Sequence, residues 1–388
     1  MRRFFVLFLS LVVLFPFCLQ EGPVYAEGNM QLYAASAVLL DADTGRVLYG
    51  KDADTERPMA STTKIMTLIL ALEYGNLDDY VTVSDYASKM PDVQLGIKAN
   101  EQYKMEDLMY SMMLESHNDS ACAIAEHIGG SVEGFAVMMN KKAAEIGLSH
   151  TYFITPNGLD AKDENGAHRT TATELALLMR YCVFISEQKD KFQEICQTRS
   201  YSFADRDNKR QFTVNNKNAL LDQMDGVLAG KTGFTGDAGY CYVAAINQNG
   251  KNFIVVLLAC GWPNHKGYKW SDTRELIAYG DKEYQYAELD VQTYTPKRAD
   301  VLYGQSETVS GYAVGTCRVL LGPSDKLTVR EIYDPKLCAP VSQGEEIGLL
   351  ILSINDEPIK ACPIYAASDV SKKDFAYYMY LVFDEFFY

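Results

Sequence analysis

The spacing of apolar positions changes several times along the chain, and each change predicts a different element. Ala35 to Leu40 and Arg46 to Gly50 are short β-type runs on either side of Asp41-Ala42-Asp43-Thr44-Gly45, a turn-rich link that predicts a hairpin. Helical spacing then takes over. Pro58 precedes a run of good helix formers from Ile65 to Glu73. After a short strand at Val81 to Val83, Met105 to Leu114 is periodic, its methionines filling core. Ser120 to Ile128 ends at Gly129-Gly130, with Asn118 or Asp119 expected as its cap. Glu133 to Ile146 is opened by Ser131 and stopped by Gly147, and Leu175 to Ile185 follows the capping box Thr171-Ala172-Thr173-Glu174.

Alternation by two then returns. Ser200 to Phe203 with Arg210 to Thr213 reads as a hairpin, followed by strands at Lys231 to Thr235, Tyr240 to Ile246 and Phe253 to Cys260. A helix is expected from Thr273 to Tyr279. Strands, a helical middle and strands again predict an α/β (α+β) domain, one sheet assembled from both ends with helices against it. After Glu288 the runs shorten: Thr308 to Val314, Thr316 to Leu321, Lys326 to Ile332 and Ile347 to Ile354, separated by turn residues, predict a small all-β domain. The expected division is 31–287, 288–367 and a final aromatic stretch, 368–388. That stretch is too short to span a bilayer, and is read either as peripheral membrane contact or as a terminal element packed on the β domain.

Composition narrows the partners. The 388 residues carry a net charge of -15, which argues against nucleic acid and against an anionic surface for the molecule as a whole. Arg2 and Arg3, the apolar run Phe4 to Phe17 and the small-residue site at Val24-Tyr25-Ala26 predict a cleaved signal peptide over 1–26, hence an exported, extracytoplasmic protein. Eight cysteines follow it, none in a Cys-x-x-Cys pair, and with five histidines scattered along the chain no zinc site is expected. Cys122, Cys182 and Cys260 read as buried small hydrophobes, while pairing of Cys317 with Cys338 stays open.

Three short motifs occur in one order. Ser61-x-x-Lys64 at a helix start places an amine one turn from a hydroxyl, the arrangement an activated nucleophile needs. Ser116-His117-Asn118 supplies a second hydroxyl and an amide, and Lys231-Thr232-Gly233 a cation at the start of a strand. Alone each is weak: Ser186 and Lys189 repeat the first spacing, and Ser353-Ile354-Asn355 the second. Lys231-Thr232-Gly233 occurs once, where an edge strand can lie beside a peptide. His117 is read as a structural residue that points to solvent or packs, as lone histidines usually do, with tuning of Ser116 or Lys64 by pH or narrowing of the substrate as the alternative.

With Ala60-Ser61-Thr62-Thr63-Lys64-Ile65-Met66-Thr67, Ser116-His117-Asn118-Asp119-Ser120-Ala121, Thr155-Pro156-Asn157-Gly158-Leu159-Asp160, His168-Arg169-Thr170-Thr171-Ala172 and Lys231-Thr232-Gly233-Phe234-Thr235, the chain resembles the penicillin-binding serine D-Ala-D-Ala carboxypeptidases of the peptidase S11 family. His117 departs from the small residue usual there. The resemblance implies a β-lactamase/transpeptidase-like domain, then the β domain and an aromatic amphipathic segment. It implies Ser61 as nucleophile, Lys64 as base and Ser116 as proton relay. Asn118, Lys231, Thr232, Gly233 and Phe234 would bind substrate, with the Ser61 and Phe234 amides as oxyanion hole. Implied partners are peptidoglycan stems ending in D-Ala-D-Ala and β-lactams, and no metal or cofactor is called for. A D,D-endopeptidase, a β-lactamase and a non-catalytic wall-binding module stand as alternatives; the β-lactamase is disfavoured because no Glu-x-x-Leu-Asn stretch occurs.

Overall fold

The computed structural model describes residues 30–387; the expected signal segment, 1–26, lies outside the described residues. The first domain is built on a five-stranded sheet in the spatial order Val47–Lys51, Ser36–Asp41, Lys251–Leu258, Gly239–Gln248, Val227–Thr235, every neighbouring pair antiparallel. Both chain ends of the domain thus meet in one sheet, as the sequence order of strands and helices implied. Its strands read as nearly continuous apolar runs because both faces are covered. Val38, Leu40, Val243, Ile254 and Val256 enter a large core with the helices, whereas Leu39, Tyr242, Phe253, Val255 and Leu257 face the opposite core.

The helices of the large core are α1 (Lys64–Tyr74), α2 (Met105–Leu114), α3 (Asn118–Gly129), α4 (Val132–Ile146), α5 (Ala172–Arg180) and α6 (Lys189–Gln197). Every residue of α1 from Lys64 to Leu72 is buried, so it is the axis of the domain. Thr171 caps α5 by accepting from the Glu174 amide at 3.1 Å; the Glu174 carboxylate does not turn back but accepts from the His150 amide at 2.8 Å and Thr151 Oγ1 at 2.6 Å. The other face is covered by α7 (Tyr268–Glu283), through Leu276 and Ile277. This helix starts five residues before the expected Thr273, because Lys269 and Asp272 are buried and mask the amphipathic pattern. Asp272 Oδ2 accepts from the Ala34 amide at 2.8 Å, tying α7 to the chain entering the sheet.

Beyond Gln285 the chain builds a second core around Val319, Leu350, Leu352, Ile354 and Ile364. Its main sheet has the order Gly311–Ala313, Glu357–Ala366, Glu346–Ile354, Leu327–Tyr333. Glu357–Ala366 carries no expectation from sequence, since Pro358 and Pro363 interrupt it. Pro358 sits beside a bulge at Leu352 and Ser353, and Pro363 lies just outside the pairing with Gly311–Ala313, so neither withholds a needed donor. Arg46 joins the domains, pairing with Asp325 at 2.7 Å and donating to Leu320 O at 2.6 Å. Cys317 is buried, Cys338 is exposed and neither is in a disulfide. The last helix, α8 (Phe375–Phe387), leaves Phe375, Tyr380, Phe383 and Phe386 exposed instead of packing them on the β domain. Among the described residues no helix is long and apolar enough to cross a membrane.

Candidate active site

Ser61 stands in a 3-10 turn, Ala60–Thr63, that leads directly into α1. Ala60 has φ +47°, and the turn is held from two sides. Thr63 Oγ1 donates to Ala60 O at 2.9 Å and meets His168 Nε2 at 2.7 Å. His168 Nδ1 accepts from the Ile154 amide at 3.0 Å, so the ring hydrogen lies on Nε2 and points at Thr63. Burial lowers the His168 pKa to about 4, keeping the ring neutral. On the other side Gly158, at φ +82°, lies so close that an added Cβ would stand 1.9 Å from Ala60 O. Only glycine lets this loop press on the Ser61 turn.

One turn into the helix, Lys64 Nζ lies 2.9 Å from Ser61 Oγ, 2.9 Å from Asn118 Oδ1 and 2.6 Å from the Asn157 carbonyl oxygen. Asn118 Nδ2 donates to Pro91 O at 3.1 Å, which orients its amide and turns the acceptor to Lys64. Lys64 is fully buried, and burial, assisted by the nearby Lys231 charge, holds its pKa well below the ordinary lysine range. A neutral amine has two hydrogens and one lone pair. Asn118 Oδ1 and Asn157 O can only accept, so they take both hydrogens, and the lone pair faces the one partner with a proton to give, Ser61.

Lys231 makes the second pair, donating to Ser116 Oγ and Thr232 O at 2.9 and 3.0 Å. It too is buried, and burial alone lowers its pKa to about 7. Ser116 holds φ +71° between α2 and α3 and, like Ser61, is only partly buried. The carrier strand Val227–Thr235 ends the sheet, leaving one edge free. Gly233 brings that edge to Ser61: an added Cβ would lie 2.9 Å from the Ser61 amide nitrogen. Thr232 is half-buried beside it and Phe234 is 42% exposed. Residues 61, 64, 116, 118 and 231–234 therefore converge on one place, though they are far apart in sequence.

Other expectations change. Asn118 and Asp119 do not cap α3; His117 occupies that position. The Asp119 carboxylate instead accepts from the amides of Leu95, Gly96 and Ile97 at 2.8 to 3.2 Å, pinning the loop before α2. His117 is buried, its Nδ1 2.8 Å from Ser111 Oγ, which in turn meets Ser120 Oγ at 2.8 Å. Of the two structural places expected for it, solvent or packing, it takes the second. The Ser186 hydroxyl donates to the Glu73 carboxylate at 3.0 Å and meets Lys189 only through its backbone carbonyl, and Asn355 pairs with Asp325, so neither duplicate motif forms a site. Asn157, Gly158 and His168, which lie in stretches that carried the resemblance but were given no role, hold the Ser61 turn and Lys64 in place. Among the described residues no cluster of three or more His, Cys, Asp or Glu could hold a metal ion.

A family model described as D-alanyl-D-alanine carboxypeptidase, peptidase S11, matches residues 24–260, and one described as the C-terminal domain of penicillin-binding protein 5 matches 284–372. The chain is similar to the D-alanyl-D-alanine carboxypeptidase DacF of Bacillus subtilis, 29% identical over 92% of this chain and 91% of that one. It is also 29% identical to a D-alanyl-D-alanine endopeptidase of Pseudomonas aeruginosa, over 64% of this chain and 81% of that protein. Among solved structures, penicillin-binding protein 5 from Haemophilus influenzae superposes with a TM-score of 0.70 at 27% identity, covering 88% of this chain and 99% of that one. With the first match spanning more than half of the sequence, the chain belongs to the peptidase S11 family of D-alanyl-D-alanine carboxypeptidases.

Proposed function

We propose that the protein removes the terminal D-alanine from peptidoglycan pentapeptide stems through an acyl-enzyme on Ser61. The observation that carries this is the placement of Lys64: buried, displaced toward the neutral amine, and flanked by two acceptors that leave its lone pair for Ser61. Ser61 Oγ attacks the carbonyl of the penultimate D-alanine as Lys64 takes its proton. The bond to the terminal D-alanine breaks, its amine receives a proton through Ser116, and water then releases the shortened stem. The Ser61 and Phe234 amides stabilise the oxyanion, Asn118 holds the peptide backbone, and Lys231 with Thr232 grips the terminal carboxylate along the edge opened by Gly233. β-Lactams acylate the same serine. In this reading catalysis resides in residues 31–287, with 288–367 as a spacer domain. The enzyme is exported, and residues 368–388 touch the outer face of the membrane through the exposed rings of α8.

Incubation with pentapeptide and with crosslinked muropeptides tests this. Free D-alanine is expected to appear faster than dimers become monomers; the reverse would favour the endopeptidase reading. Rapid turnover of nitrocefin would favour a β-lactamase. The same assay across pH carries a sign. Lys231 must be charged to hold the carboxylate, and its pKa is lowered to about 7, so kcat/KM falls as pH rises through about 7. A bound carboxylate favours the ammonium, so the corresponding limb in kcat lies at higher pH.

A further inference from the structure

We propose that Trp262 is a platform for a sugar ring of the peptidoglycan glycan, so that the enzyme recognises stems still attached to their saccharide; this rests on the carboxypeptidase reading above. Trp262 follows the strand Lys251–Leu258 and its ring is fixed on one side. Its Nε1 donates to Gly236 O at 3.1 Å, and a Cβ added at Gly239 would meet its Cε2 and Cζ2 at 3.1 and 3.2 Å, so the ring packs on the backbone of Gly239. The residue is nonetheless 45% exposed, a large open area for a ring held in place on its other contacts. An indole with its N–H already satisfied gains nothing from water on its remaining apolar surface. The aromatic surface continues beyond it. His265 stacks on Tyr268 with centroids 4.6 Å apart, and Tyr268 on Tyr33 at 3.7 Å, with Tyr33 55% exposed.

The position of this surface relative to the nucleophile selects its occupant. A stem with its carboxylate at Lys231 and its carbonyl oxygen at the Ser61 and Phe234 amides must run its N-terminal part past Phe234 toward the turn at 236–238. Trp262 is bonded to that turn. From the attacked carbonyl back to the saccharide are four residues, about 14 Å when extended. Gly236 is three residues past Gly233, hence within about 11 Å of the position that lies against Ser61, so the platform falls within that reach. Exposed carboxylates of Asp160 and Asp237 flank the turn, Asp160 accepting from Thr235 Oγ1 at 3.0 Å. They can accept from the hydroxyl and N-acetyl N–H groups of a neutral hexosamine. The apolar C–H face of that sugar matches a flat indole.

The experiment compares kcat/KM for a pentapeptide carried on an N-acetylated disaccharide with that for the bare pentapeptide. Wild type is expected to favour the disaccharide-linked substrate about three- to tenfold. That ratio should fall to about one in Trp262→Ala and persist in Trp262→Tyr, which keeps a ring on Gly239. Penicillin acylation of Trp262→Ala checks that the site is intact. A wild-type ratio of one, or a ratio in Trp262→Ala equal to wild type, overturns the platform. If neither peptide is hydrolysed, the carboxypeptidase reading fails instead. Quenching of Trp262 fluorescence by the free disaccharide, in a Trp270→Phe background, then decides the platform by itself: saturable quenching supports it and none overturns it.

Discussion

Replacing Lys64 by alanine is expected to lower the rate at which penicillin or D-Ala-D-Ala peptide acylates the protein by about 10³-fold or more, the scale of a lost general base. Arginine should be no better. Its guanidinium stays protonated at any working pH, so it offers Ser61 no lone pair, although it keeps the positive charge. Loss in the arginine variant therefore separates a base from a mere cation. Stopped-flow acylation across pH 5–9 measures both. An arginine variant with near-wild-type rates would mean that Ser61 is activated by charge alone, contrary to the hydrogen-bond count around Lys64.

The second large effect is expected at a residue that touches no substrate. Gly158→Ala should destabilise the protein by about 2–4 kcal/mol, because the new methyl combines a left-handed backbone with a collision against Ala60 O. Gly250→Ala is the control: its φ is +79° but nothing lies within 4 Å, so only the backbone term of about 1 kcal/mol applies. Thermal unfolding of the two variants reads the difference. In the folded fraction of Gly158→Ala, acylation should also slow, since relieving the collision moves the turn that carries Ser61. Equal stability losses in the two variants would show that the loop yields without strain.

Much of this site was legible in sequence because its chemistry depends on side chains with recognisable spacing. Ser61, Lys64, Ser116, Asn118 and Lys231 announce themselves by residue type, and strands at both ends of the domain explain why they meet. The supports were not legible for definite reasons. Asn157 contributes a backbone carbonyl to Lys64, which any residue type supplies. Asp119 has the look of a helix cap, yet its carboxylate serves three amides of a loop more than twenty residues away. Depression of the Lys64 pKa comes first from complete burial, a property of the assembled core that no local pattern encodes. In the second domain the prolines of Glu357–Ala366 hid a strand whose neighbours spare it the missing donors.

Labelling of intact protein with fluorescent penicillin decides whether Ser61 beside Lys64 forms a working acyl-transfer centre. One covalent adduct per molecule is expected, located on Ser61 by peptide mass, persistent over the assay and absent in Ser61→Ala. No label on the intact protein, or equal label on Ser61→Ala, would contradict it.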